Sequence, residues 1–261
     1  MKILVFIKQV PASDDVKLDP VTGNLKREGV ESTLNPTDAN AIEAALKLKA
    51  KCGGTIAAIT MGPAQAADVL KKALALGCDE AYLLSDRAFG GADTLATSYT
   101  LAKAAEKIGG FDLLLFGRQA IDGDTAQTGP ATAAFLDIPQ ITLATSIDLE
   151  DGWVYCERGL EHSVERVRAK LPAAVAVCRE INTPRYPTPI GIMKAAKKPI
   201  TVWDAAALGA DTTMTGTAGS PSSTKKVFAP EKKSVDTCWL TGSSSEIAVQ
   251  FADVLAREHL L

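Results

Sequence analysis

The chain has 261 residues, of which 46% are hydrophobic and 23% charged, and its formal net charge at pH 7 is -3. Such a length is enough for one substantial core with a smaller appended module, since domains usually contain about 100–200 residues. A charge this close to zero is not that of a nucleic-acid-binding protein or of a protein with an acidic tail. We therefore expect protein and small-molecule partners and no nucleic acid.

The apolar run at residues 3–7 is too short for the core of a signal peptide, and no run approaches the roughly 18 apolar residues that span a bilayer. We expect no membrane insertion and a cytoplasmic location, or a mitochondrial matrix location after removal of a transit peptide. The five cysteines are odd in number and never spaced as Cys-x-x-Cys, which argues against a disulfide framework and a zinc site. With only two histidines and no hydrolase, metalloprotease or Walker A motif, no catalytic side chain and no metal site are predicted.

The first half of the chain alternates short apolar runs with segments of helical periodicity, a pattern typical of a parallel sheet covered by helices on both faces. Residues 3–7, 56–60, 81–84 and 113–116 are predicted strands. A first helix is predicted at Asn35 as N-cap, with Pro36 in its first position and Asp38 in its first turn. Further helices are predicted after residue 63 up to residue 77, from about 93 to 109, and from about 125.

The second half of the chain has a different pattern of apolar and polar residues. Residues 153–157 and 164–168 alternate apolar and polar side chains around a turn at Gly159, which predicts an antiparallel pair, and residues 173–177 are expected to return to the main sheet. Residues 182–198 are predicted to be irregular, residues 209–224 extended and mobile, and residues 245–258 helical with one apolar face. We predict two parts: an α/β domain at 1–208, and at 209–261 a linker with a C-terminal helix that packs on a partner subunit.

Residues 117–130, GRQAIDGDTAQTGP, carry the densest functional signal because they join a buried strand to a helix, where open parallel sheets bind ligands. Free amides at the helix N-terminus, with Thr125, Gln127 and Thr128, offer donors to a phosphate. Asp122 and Asp124 are expected to cap amides or to accept hydrogen bonds from ribose hydroxyls. The residues alone predict an adenine nucleotide or dinucleotide, and a polar loop that merely caps its helix is the alternative.

Several ordered motifs across nearly the whole chain resemble the beta subunit of electron-transfer flavoproteins. They are ILVFIKQV at the start, NPTD at 35–38, MGPAQ at 61–65, the loop at 117–130, VERVRAKLPA at 164–173, and PRY followed by IMKAAKK up to 198. The resemblance implies a doubly wound α/β sheet of the adenine-nucleotide-hydrolase-like (HUP) type, with a small antiparallel addition and an extended C-terminal arm. It also implies a heterodimer with an alpha subunit that holds the electron-delivering FAD.

The family's cofactor contacts fall at the carboxyl ends of the predicted strands, and for Phe6 and Met61 core packing is an equal alternative. By resemblance, the cofactor-binding residues are Phe6, Asn35, Pro36, Thr37, Asp38, Met61, Gly117, Arg118, Gln119, Ala120, Ile121, Asp122, Gly123, Asp124, Thr125, Ala126, Gln127 and Thr128.

The form of the loop, DGDTAQTGP, and Asp38 resemble the subgroup of anaerobes whose beta subunit binds a second FAD, takes a hydride from NADH and bifurcates the two electrons. In that interpretation the chain is an electron-transfer subunit of an NADH-dependent oxidoreductase complex. Its partners would be an acyl-CoA dehydrogenase-like or other dehydrogenase and a ferredoxin or flavodoxin. The alternatives are a non-bifurcating subunit that holds structural AMP, and an unrelated nucleotide-binding hydrolase of the same fold.

Residues 183–198 resemble the loop by which the family holds its dehydrogenase partner. The family pattern has a leucine near Pro189, and here Ile190 or Met193 would take its place.

Overall fold

The computed structural model describes residues 1–12, 32–223 and 237–260. It forms two compact units, Met1–Lys226 and Val227–Leu261. The division at residue 208 stays a prediction. The strands are β1 (Lys2–Phe6), β2 (Gln9–Pro11), β3 (Ser32–Leu34), β4 (Thr55–Met61), β5 (Glu80–Leu84), β6 (Leu113–Gly117), β7 (Gln140–Glu150), β8 (Trp153–Gly159), β9 (Val164–Lys170), β10 (Ala173–Val177) and β11 (Thr201–Trp203). The α-helices are α1 (Pro36–Cys52), α2 (Ala67–Leu76), α3 (Thr94–Ile108), α4 (Thr128–Phe135), α5 (Pro189–Ala195), α6 (Ala205–Leu208) and α7 (Ser244–Arg257).

In the described ranges the strands form a nine-stranded sheet of order β11-β5-β4-β1-β6-β10-β7-β8-β9 and a small hairpin of β2 and β3. Pairing is parallel from β11 to β7, and β8 and β9 continue the sheet antiparallel. Side chains alternate between two cores: Ile3 and Val5 face α1 and α2, whereas Leu4 and Phe6 face α3, α4 and α6. The doubly wound α/β prediction and the small antiparallel addition are confirmed.

The order of the parallel strands places a crevice beside β1. The chain leaves β1 through α1, adds β4 and β5 on one side, and returns through α3 to add β6 on the other side. The connections that follow β1 and β6 therefore lie on opposite faces of the sheet, and a gap opens between them at the carboxyl ends of these strands.

Most predicted helix ends are confirmed. The side chain of Asp93 caps α3 by accepting hydrogen bonds from the Leu95 and Ala96 amides. Asn35 precedes α1 with Pro36 in its first turn, although the Asn35 side chain caps no amide of α1. In the second unit, Ser243 and Glu246 form a capping box at the start of α7, which exposes Val249 and Phe251.

Several expectations are wrong. The fourth helix begins at Thr128 rather than near 125, because Asp124 and Ala126 adopt left-handed backbone angles (φ 53° and 54°) that no α-helix accommodates. The segment 182–198 contains α5, capped by Thr188. The turn expected at Gly159 lies just beyond it, because Gly159 still pairs within β8 and β9.

The Gly/Ser/Thr-rich stretch after α6 is not extended throughout. Residues Thr212–Met214 form a 3₁₀ helix, and Thr215 next to it is buried. Within the described ranges, no helix is long and apolar enough to cross a membrane. The same ranges bring together no group of three or more His, Cys, Asp or Glu side chains that would hold a metal ion.

Candidate functional site: a cavity at the carboxyl edge of the sheet

A cavity of about 510 Å³ lies at the crevice beside β1, within the first unit. This volume is in the range of small-molecule and cofactor sites. Its walls come from the ends of β1 and β6, the loop 118–127, the turn after β5, the first turns of α3, and the segment after α6. The predicted position of the site, at the carboxyl edge of the sheet, agrees with this cavity.

Two stacked aromatic rings form an apolar part of the lining. Phe6 and Phe116 are register partners at the ends of β1 and β6, and their rings stack with centroids 4.5 Å apart and planes 4° apart. Gly129 lies behind Phe116, where a Cβ atom would come within 3.2 Å of the ring. A glycine at the start of α4 therefore allows the helix to pack closely on this ring.

Gly117 provides a second close approach, between the end of β6 and the start of α1. A Cβ atom at Gly117 would lie 2.3 Å from Oδ1 of Asp38 and 2.7 Å from the Asp38 amide nitrogen. Only glycine therefore fits without displacing α1. The consequence is that the first turn of α1 is pressed against the strand end beside the cavity.

Asp38 is a buried carboxyl group at this contact, and one of its oxygens accepts a hydrogen bond of 2.7 Å from the Lys8 amide. Burial raises the pKa of Asp38 to about 7, although hydrogen bonds from Asn35 and from the Lys8 and Gly117 amides lower it. The carboxyl also lines the cavity. Its charge next to the site therefore changes near neutral pH.

Asn35 holds the loop that follows β6. Its side-chain amide donates to Thr37 Oγ1 and to the Gln119 carbonyl, both at 3.0 Å, and its Oδ1 accepts from the Ile121 amide at 3.2 Å. The Thr37 hydroxyl also donates to the Gln119 carbonyl, at 2.7 Å. Because Asn35 is fully buried, these bonds are shielded from water and fix the start of the loop.

The rest of the loop is shaped by its own polar side chains. Gln119 donates to Asp124, which has a left-handed backbone conformation. Asp122 forms an ion pair with Lys8, with Nζ 2.7 Å and 2.8 Å from its two carboxylate oxygens. This pair is partly exposed and joins the loop to the end of β1.

The structure separates the predicted binding residues into two groups. The first group lines the cavity: Phe6, Asp38, Met61, Gly117, Arg118, Gln119, Ala120, Gly123, Asp124, Thr125, Ala126 and Thr128. The second group lies outside the lining: Asn35, Pro36, Thr37, Ile121, Asp122 and Gln127. Contact of either group with a cofactor stays a prediction.

Sequence reasoning missed one end of the cavity. Phe89, Asp93, Thr94 and Thr97 from the β5–α3 region line it, together with Ser222. The Asp93 cap after β5 could have indicated this end, since β5 ends at the same edge of the sheet as β6. No sequence signal indicated Ser222, which is distant in the chain.

The donor groups of the cavity suit a phosphate-bearing ligand with an aromatic base. Arg118 and Lys8 contribute positive charge, and the first amides of α4 have no acceptor within the helix. The aromatic and aliphatic side chains described above offer an apolar surface beside these donors. Hydroxyl groups line the cavity from Thr94, Thr97, Thr125, Thr128 and Ser222.

A doubly wound sheet with such a cavity at its switch point is typical of α/β proteins that bind nucleotides or cofactors. The electron transfer flavoprotein domain family matches residues 22–208. A caffeyl-CoA reductase-Etf complex subunit, CarD, from Acetobacterium woodii is 45% identical, with 100% of each chain covered. An electron transfer flavoprotein subunit beta from Thermoanaerobacterium thermosaccharolyticum is 44% identical, also with 100% of each chain covered.

A third relative, the protein FixA of Azotobacter vinelandii, is 42% identical over 90% of this chain and 86% of its own. The chain therefore belongs to the electron transfer flavoprotein family and is of the beta-subunit type. Membership confirms the resemblance seen in the motifs and implies an alpha-subunit partner and further electron-transfer partners.

Proposed function

We propose that this chain holds FAD in the cavity beside β1 and receives electrons from NADH as the beta subunit of a bifurcating electron-transfer flavoprotein. The observation that carries the proposal is the variety of the cavity lining. Besides the loop after β6, the lining includes Met61 at the end of β4 and Leu101 of α3. We expect the loop to hold the adenylate half of FAD, so that these further side chains remain for the second half of the dinucleotide.

When bound, FAD supplies the redox chemistry by accepting a hydride from NADH and delivering one electron to the alpha-subunit flavin and one to ferredoxin or flavodoxin. The side chains of this chain bind and orient the FAD. Thr125 and Thr128 offer hydroxyl donors to phosphate, and Phe6 with Phe116 offers an apolar surface. Arg118 lines the cavity as an exposed cation and stabilises negative charge inside it.

The dehydrogenase partner is proposed to dock on residues 183–198. The start of this segment is fixed to α1: Asn182 and Asn40 exchange hydrogen bonds of 2.8 and 3.0 Å. Further along, α5 exposes Ile190 and Met193, with 65% and 68% of each residue accessible. A fixed base with an exposed apolar tip suits a protein-binding surface.

The test is to count nucleotides released from the denatured, co-purified alpha and beta pair by chromatography. Two FAD and no AMP per heterodimer are expected. One FAD with one AMP would refute the bifurcating role and support the alternative, in which this chain holds AMP and FAD lies only with the alpha subunit.

A cavity-filling variant locates the second FAD. Thr97→Phe places a ring in the α3 end of the cavity and is expected to reduce the count from two FAD to one. Lys103→Phe, on the same helix but outside the cavity lining, is the matched control and should retain two FAD. Two FAD retained in both variants would place the second FAD elsewhere.

A further inference from the structure

Ser222 lines the cavity from a segment outside the sheet and its helices, residues 212–223, which we term the strap. The strap lies against the turn after β5: the Thr217 amide donates to the Gly90 carbonyl at 3.1 Å. At Gly216 (φ 52°), a Cβ atom would lie 2.2 Å from the Ala88 carbonyl oxygen. The close approach and the positive φ both require glycine, so the strap has a defined seat on this turn.

Asp93 joins the strap to α3. Its Oδ1 accepts from the Leu95 and Ala96 amides, at 3.0 and 3.1 Å, and so caps the helix. Its Oδ2 accepts from the amide and the hydroxyl of Ser222, at 3.1 and 2.8 Å. Its own amide donates to Ser220 Oγ at 2.8 Å. One carboxylate group therefore serves two elements, one oxygen for the helix and the other for the strap.

Both partners of this contact line the cavity. The neighbouring Thr94 hydroxyl lies 3.4 Å from the Thr125 hydroxyl, so this wall also meets the loop after β6. Hydrogen bonds to a carboxylate are stronger than neutral ones, yet Ser222 is exposed and only a few bonds hold the strap at this end. Such a contact opens more readily than the sheet or the helices.

We infer that Asp93 and Ser222 form a latch that holds the strap over the cavity and sets how fast the bound nucleotide leaves. This inference rests on the proposed function, because the ligand it retains is the nucleotide held in the cavity. Opening the latch separates the strap from Asp93 while the cap of α3 and the floor of the cavity stay in place. The latch therefore affects the rate of release more than the fold.

The experiment measures release of the native nucleotide from the purified alpha and beta pair. Release of FAD is followed by the rise in flavin fluorescence on dilution, and release of AMP with radiolabelled AMP. Ser222→Ala removes the hydroxyl donor. Asp93→Ser keeps a good N-cap for α3 but lacks the second oxygen for the strap. Ser223→Ala, at the adjacent exposed serine, is the matched control.

Ser222→Ala is expected to speed release about tenfold, the loss of one hydrogen bond to a charged group, and Asp93→Ser at least as much, because it removes the acceptor of both bonds from Ser222. Hydrogen exchange of the strap amides should rise selectively, with exchange in β1 and β6 unchanged, an effect that a general loss of stability would not produce. Bound nucleotide with release rates equal to wild type would overturn the latch alone. A wild-type pair with no nucleotide in this cavity would overturn the proposed function and the latch with it.

Discussion

Replacing Asn35 with alanine tests whether the buried amide holds the loop of the cavity. The variant loses the hydrogen bonds to Thr37, Gln119 and Ile121. The Gln119 carbonyl keeps its bond from Thr37. The three lost bonds, at about 0.5–1.5 kcal/mol each, amount to about 2–4 kcal/mol of unfolding free energy.

Urea denaturation of the purified pair measures this loss, and two variants bracket it. Asp122→Ala, which breaks only the partly exposed ion pair with Lys8, should cost less than about 1 kcal/mol. Leu70→Ala, in the core that α1 and α2 cover, should cost about 2–5 kcal/mol of unfolding free energy. Asn35→Ala should also release the nucleotide, whereas Leu70→Ala should retain it. Equal nucleotide retention in Asn35→Ala and Leu70→Ala would refute the role assigned to Asn35.

Three further substitutions test single contacts in the purified pair, with unfolding free energy as the measurement. Since the pKa of Asp38 is raised to about 7, the folded state binds the proton more tightly than the unfolded state. The unfolding free energy of the wild type should therefore fall by up to about 4 kcal/mol as the pH rises from 4 to 7, and Asp38→Asn should abolish this fall. A variant with the same pH profile as the wild type would contradict this. Gly117→Ala should cost about 1–3 kcal/mol or more by forcing α1 from β6, and an unchanged stability would contradict the packing argument. Arg185→Ala should lower the unfolding free energy at neutral pH by about 1–2 kcal/mol, because Glu43 is buried and Arg185 half exposed. Although burial raises the pKa of Glu43, its hydrogen bonds and charge pairing with Arg185 lower it below its ordinary 4.5, so the difference should vanish as the pH falls through that lowered pKa, and a difference that persists would refute the ion pair.

Sequence reasoning located β1, β4, β5, β6 and β10 because both of their faces are largely buried, but it predicted neither β7 nor β11. Ile3, Leu4 and Val5 are all fully inaccessible, and a continuous apolar run of that length is typical of a strand covered on two sides. Helix ends were equally readable, since caps such as Asp93 act locally on the next two or three amides. Local chemistry determines these features, so they can be read without the fold.

Features that depend on contacts between distant residues could not be predicted from the sequence. Asn35 has the sequence context of a helix cap, yet its side chain is used by residues more than 80 positions away. Asp124 and Ala126 adopt left-handed conformations that neither residue type favours strongly, and the interactions around the loop hold them. The small strand β11 was missed because three residues at a sheet edge leave little periodic signal.

The two sides of the cavity differ in the same way. The loop after β6 is one continuous segment, and so both its chemistry and its family resemblance can be read from the sequence. On the other side α3 meets the strap, and Asp93 and Ser220 in that contact are 127 positions apart. If the chain functions as proposed, the choice between AMP and FAD is expected to depend on this second side, because the loop offers similar donors to either nucleotide. Substitutions there, such as Thr97→Phe, are therefore expected to separate the two alternatives, whereas substitutions in the β6 loop should weaken both nucleotides alike.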